Sequence, residues 1–182
     1  MLQSIHNVYD GLFDSVSLKK IDLNRPTVKM IDIDDIAIGL SNVCRFGGQI
    51  EQHYSVAQHS CLVACIAPVH LQQIALLHDA SEAYLGDVIK PLKVMLGDSY
   101  AKIEERFMRI IFERFEVDYN HLELIKPYDK TLLEAEHEYF RSISKLPLYG
   151  LVDKYFPGFP AIWNPQTSKV AFKQLFNNYF KN

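Results

Sequence analysis

The stretch Asp32-Ile33-Asp34-Asp35-Ile36-Ala37-Ile38-Gly39-Leu40-Ser41-Asn42-Val43 changes the hydrophobic period of the chain, and its reading decides the fold. Ile33, Ile36, Ala37, Leu40 and Val43 recur at three- and four-residue intervals, which places them on one face of an α-helix. Asp32 stands just ahead of the run, where its carboxylate can accept from the orphan amides of a first turn. Before Asp32 the pattern is extended. Val16 and Leu18 alternate, Ile21 and Leu23 follow, and Asn24-Arg25-Pro26 marks a turn ahead of Val28 and Met30, so residues 1–31 are predicted to hold one small β-hairpin.

Beyond Val43 the helical period persists. Arg45-Phe46-Gly47-Gly48-Gln49 interrupts it, and Ser55 with Gln58 forms the S-x-x-Q pattern of a capping box, so a second helix is predicted from Val56 to Pro68. A third is predicted over about Leu71–Leu85, with Leu71, Ile74, Ala75, Leu77 and Leu85 inward and Gly86 as its stop. Pro91 predicts a largely irregular path from Asp87 to Gly97. A fourth helix starts at Asp98 or Ser99, with Ile103, Phe107, Ile110, Ile111 and Phe115 as its apolar stripe beside exposed Glu104, Glu105 and Arg109. A fifth starts near Pro127 and runs to about Ser142. Leu146 to Pro165, rich in Pro and Gly, reads as a surface wrap, and Val170, Phe172, Leu175, Phe176 and Tyr179 close the chain with an amphipathic helix. The fold class is therefore all-α with an N-terminal hairpin, in a single domain over 1–182: hairpin 1–31, core 32–142, and C-terminal wrap and helix 143–182.

The 182 residues, 48% apolar and 23% charged, support one compact core. The longest apolar run, Cys61 to Val69, is far short of the roughly 20 residues a bilayer requires, so no membrane partner is expected. Nineteen basic against 22 acidic side chains give a net charge of −3, which disfavours broad attraction to nucleic acid and leaves room for a small anion. The first 18 residues carry no Lys or Arg, unlike secretory or mitochondrial leaders, so a cytoplasmic location is expected. Cys44, Cys61 and Cys65 show no finger-like spacing and are read as packing residues.

His78-Asp79 interrupts an otherwise apolar helix, and burying an imidazole and a carboxylate among Ile74, Leu77 and Ala80 is costly without compensation. A cation would compensate. His59 on the preceding helix and Asp129 near the start of the fifth would complete a set of two imidazoles and two carboxylates for one divalent ion, with Mn, Fe, Co and Zn all compatible. Glu82, four residues after His78, falls on the same face and suits a base acting on water, and Asp87, just past Gly86, could orient that water or relay a proton. Arg45, between a helix and two glycines, and Lys93, just beyond Pro91, are candidate phosphate contacts, whereas Lys90 reads as a solubilising surface charge. In the loop from Phe46 to Tyr54, those two rings can stack on a base or sugar while Gln49, Gln52 and His53 offer hydrogen bonds. Glu134-x-x-His137 has the spacing of a di-iron ligand pair, but no other Glu in the chain has a His three residues later to supply the required second copy.

The ordered series Arg45-Phe46-Gly47-Gly48, Tyr54-Ser55-Val56-Ala57-Gln58-His59-Ser60, His78-Asp79-Ala80-Ser81-Glu82-Ala83-Tyr84-Leu85-Gly86-Asp87, Pro91-Leu92-Lys93 and Asp129 resembles the HD-domain phosphohydrolases. It is most similar to the small branch with 5′-deoxynucleotidases and the compact dATP triphosphohydrolases of some bacteriophages. The resemblance covers roughly Asp32 to Phe140, with Trp163-Asn164-Pro165 and the last helix beyond. It implies a bundle of about six helices and a dimer or larger homo-oligomer. Its implied metal ligands are His59, His78, Asp79 and Asp129; Glu82 and Asp87 act on water, and Arg45 and Lys93 touch phosphate. Phe46 stands where relatives often carry Trp. The implied cofactor is one divalent transition metal, with further Mg or Mn on substrate phosphates, and the implied setting is a bacterial or phage-infected cytosol. The implied reaction is hydrolysis of a deoxynucleoside 5′-phosphate, either a dNTP with release of triphosphate or a dNMP. A nucleotide-binding module without hydrolysis is the alternative of another class.

Overall fold

The computed structural model describes residues 11–142 and 162–180. Most of the predicted wrap, and the first ten residues, lie outside them. Strands β1 (Leu12–Asp14) and β2 (Lys20–Asp22) pair antiparallel, with Phe13 opposite Ile21. The hairpin is present, but its strands are not the alternating pairs expected. Val16 and Leu18 lie in the connection and are exposed, and Leu18 has φ 61°, a turn conformation in which alternation carries no meaning. Ser17 fastens this connection to the first helix, its amide and hydroxyl donating to the Asp35 carboxylate at 2.7 and 2.6 Å. Val28–Met30 winds into a single 3-10 turn.

The remainder is an all-α bundle. Helix α1 (Ile33–Asn42) is capped as its sequence requires, Asp32 accepting from the Asp34 amide, and it buries Ile36, Ala37 and Leu40 completely. Helix α2 (Val56–Ile66) starts at Ser55, whose hydroxyl accepts from the Gln58 amide at 3.1 Å. Residues Val56 to Ala64 are buried without interruption, the pattern of a central helix enclosed by its neighbours. Cys61 and Cys65 pack there as expected, and burial raises both thiols, Cys65 to about 12. The last helix, α8 (Pro165–Phe180), lies on α1 and α2, with Asn164 accepting from the Thr167 amide as its cap. Fully buried Trp163 donates its amide to Gln58 Oε1 at 2.9 Å, and Ser55 donates to Ser168, so the two N-termini are joined. Val170 is the exception on the predicted stripe, being half exposed while its neighbour Ala171 faces the core.

Two helical expectations are corrected. The third helix is broken: α3 (Gln72–Leu77) and the single turn α4 (Glu82–Leu85) flank a tightly wound segment, where Ala80, Glu82, Ala83 and Tyr84 donate to the carbonyls three residues back. Within the stretch from Asp87 to Gly97, residues 90–96 are not irregular. They form α5 (Lys90–Leu96), because Pro91 occupies its first turn, where no amide is needed and the fixed φ suits the helix. Helix α6 (Asp98–Arg114) follows after Gly97, and α7 (Lys126–Ser142) starts within one residue of Pro127. On α6, Glu104 is half-buried rather than exposed, since its carboxylate faces Lys93 of α5.

Candidate metal centre

Three helical regions bring the four side chains singled out as candidate ligands to one point. His59 comes from the middle of buried α2, His78 and Asp79 from the tight segment after α3, and Asp129 from the first turn of α7. His59 Nε2 lies 3.1 Å from Asp129 Oδ1 and 3.7 Å from Asp79 Oδ2, and His78 Nε2 lies 3.2 Å from Asp79 Oδ2 and 3.9 Å from Asp129 Oδ1. Ligand atoms of His59, His78 and Asp129 all fall within 4.8 Å of one another. Donors around a single ion at about 2.1 Å stand roughly 3 to 4 Å apart, so modest closure would bring them to bonding distance.

The imidazoles are already oriented for a cation. His59 Nδ1 is 2.6 Å from Glu136 Oε1, and His78 Nδ1 is 2.7 Å from the Ala75 carbonyl, which fixes the protons on the nitrogens facing away from the centre. Both Nε2 atoms are buried and face carboxylate oxygens, His59 that of Asp129 and His78 that of Asp79. A possible metal-binding cluster of His59, His78 and Asp129, with Asp79 alongside, is therefore present. Burial opposes ionisation of Asp79 and Asp129, yet the facing imidazoles hold both carboxyls below their ordinary range. Burial and the Arg45 charge push the His59 imidazole down, but Glu136 and Asp129 outweigh them and raise it to about 9 when no cation is bound.

A cleft of about 580 Å³ opens on this cluster. Arg45, Phe46, Asp79, Glu82, Asp87, Lys93 and Asp129 all line it. Glu82 is almost fully buried, with Oε1 3.5 Å from Lys93 Nζ and Oε2 unpartnered. Burial first, then Asp79 and Asp87, pushes its carboxyl well above the usual range. Burial raises Asp87 as well. Lys93 donates to Glu104 at 2.6 Å and stands on the cleft wall, while Lys90, read as a surface charge, is exposed and also lines the cleft.

Tyr54 is the correction. An antiparallel bridge between Cys44 and Ser55, with the Arg45 amide donating to the Tyr54 carbonyl at 2.9 Å, closes the loop and turns the Tyr54 ring inward. The ring is fully buried against Phe140 and does not line the cleft, so it cannot stack on a ligand there. Gln49 and Gln52 are exposed away from it, and His53 Nε2 is 2.9 Å from the Ser41 carbonyl. Among the described residues the loop gives the cleft only Arg45 and Phe46. The alternative pair Glu134 and His137 does not converge: Glu134 is exposed beside Lys130, and His137 packs on Phe46.

Glu136 is the residue that sequence reasoning missed. It is completely buried, with Oε1 accepting from Tyr54 at 2.7 Å and facing His59 Nδ1, and Oε2 accepting from Arg45 Nη2 at 3.0 Å. Arg45 Nη1 reaches on to Asp79 Oδ2 at 3.6 Å. The available signal was its place seven residues, two helical turns, after Asp129, on the face that also buries Leu132.

No family model matches the chain. Two curated relatives match part of it. The uncharacterized protein YfdR of Escherichia coli K12 is 46% identical over 85 residues, 47% of each chain. An uncharacterized protein of Rhodobacter capsulatus is 40% identical over 109 residues, 55% of this chain and 56% of that protein. The chain thus spans about half the length of the curated relatives it matches, and neither name carries a reaction or ligand.

Proposed function

We propose that this protein is an HD-type, metal-dependent phosphohydrolase of deoxynucleoside 5′-phosphates, with a dNTP of the dATP kind as substrate and triphosphate as product. One observation carries the reading: the Nε2 atoms of His59 and His78 face the carboxylates of Asp79 and Asp129, which line a cleft together with the buried Glu82 carboxyl, Arg45 and Lys93. Acceptors for a cation, a candidate base and counter-charges for an anion are the three components of phosphoryl hydrolysis. The ordered resemblance from Arg45 to Asp129 supports the same reading, and the cleft has the size of small-molecule sites, about 300–1,000 Å³.

A divalent ion held by His59, His78, Asp79 and Asp129, whether Zn, Co, Mn or Fe, would supply Lewis acidity to a phosphoryl oxygen and acidify water beside it. Arg45 and Lys93 bind the phosphate and meet the charge that develops on its oxygens. Lys90 extends positive charge along the wall, which favours a substrate with more than one phosphate. Phe46 offers a ring face to sugar or base, with Val88, Ile89 and Leu133 as apolar lining. The water oxygen bonds to the α-phosphorus as the bond from phosphorus to O5′ breaks. Glu82 accepts the proton leaving that water, and Asp87, whose carboxyl is raised, supplies the proton O5′ requires. The same reading places the protein in a bacterial or phage-infected cytosol as a homo-oligomer.

The test is product identification: protein loaded with Mn or Co is incubated with each dNTP and dNMP. Triphosphate from dATP is the expected result. Phosphate from several dNMPs would replace the substrate with a monophosphate, and nucleotide binding without any release would make the protein a binding module.

A further inference from the structure

Glu136 carries more structure than a salt-bridge partner needs. Three donors converge on its two oxygens from separate parts of the chain: His59 on α2, and Arg45 and Tyr54 on the two sides of the bridge that closes the 45–55 loop. Of these, His59 belongs to the candidate cation cluster and Arg45 to the cleft wall. We propose that Glu136 is the positioning residue of this centre, a single buried carboxylate that holds the proton of His59 on Nδ1, leaving Nε2 for a cation, and sets Arg45 beside the same cation at the cleft wall. The proposal rests on the cation-site reading above and adds the group that ties the cation site to the phosphate clamp.

The chemistry of the pocket gives the expected effect of Glu136→Gln. All three neighbours present hydrogens, and a carboxylate has acceptors for all of them, whereas an amide has one oxygen and one NH2. Arg45 is buried and stays charged, so it retains the amide oxygen, and the NH2 turns to His59 and Tyr54. His59 can then pair only as an acceptor at Nδ1, which moves its proton to Nε2, where the cation would bind. Outer-shell partners of metal-bound His are commonly worth about 10–100-fold in affinity.

Calorimetric titration with zinc alone, on wild type and Glu136→Gln, tests this without any nucleotide. A loss of about 10–100-fold in the variant, with unchanged far-UV circular dichroism, is expected. Equal affinity in a wild type and variant that both bind overturns the positioning role and leaves the cation site standing. A wild type that takes up no zinc overturns the site and this proposal together. Should the variant not fold, nitrogen-15 spectra of the zinc-loaded wild type decide: the His59 Nε2 resonance shifted by zinc with Nδ1 still protonated supports the role, and zinc on Nδ1 overturns it.

Discussion

Glu82 and Asp79 stand three residues apart and are asked to do different things, a division their surroundings support. Asp79 faces two imidazoles and Arg45, which keep it ionised, whereas burial of Glu82 raises the proton affinity of its carboxylate, as a base requires. Asp79→Asn is therefore expected to lose cation binding and turnover together. Glu82→Gln should bind zinc as wild type does while turnover falls by about 10²–10⁴, the usual worth of a general base. Calorimetry beside steady-state rates checks both, and an undiminished rate in Glu82→Gln removes that residue from the mechanism. The residues bearing these roles were legible because polar groups in an apolar helix need a reason. Glu136 was not, because a Glu within a charged helix such as α7 reads as a solvated face until the fold shows which side is covered.

At the level of elements, the site depends on how closely α1 and α4 approach. A Cβ added at Gly39 would lie 2.7 Å from the Ala83 carbonyl and 2.9 Å from its Cα, so the two backbones are in contact there. Gly39→Ala must push apart the turn that carries Glu82, at a cost of about 1–3 kcal/mol from overpacking. Urea denaturation should read that loss, and turnover should fall with it because Glu82 moves. Stability and rate equal to wild type would mean that α4 is not held by this contact. The sequence marked α1, α2, α6, α7 and α8 through period and caps. It missed α5 and the break between α3 and α4, since a Pro is compatible with either a helix start or a helix end, and the tight winding around Asp79 leaves no periodic trace.

For the whole molecule, a cation that binds only the folded bundle links three helical regions and must raise its stability, by about 2.7 kcal/mol at a free concentration 100 times Kd. The gain depends on pH. In the metal-free protein His59 is raised from its ordinary 6.5 to about 9, so its contribution to stability is complete below about 6.5 and disappears as pH rises through 9. Cation binding displaces that proton and strengthens across the same window. The difference in Tm between zinc-loaded and metal-free protein should widen from pH 6.5 to 9, and a constant difference would dissociate His59 from the cation. By itself, the sequence determined helices α1, α2, α6, α7 and α8 and which side chains have reason to be chemical, because hydrophobic period, caps and misplaced polar groups are local properties. Only the tertiary structure decided that Tyr54 is buried, that Lys90 faces the cleft and that Glu136 joins His59 to Arg45. Those facts arise from which faces of distant segments meet, and no local pattern encodes that meeting.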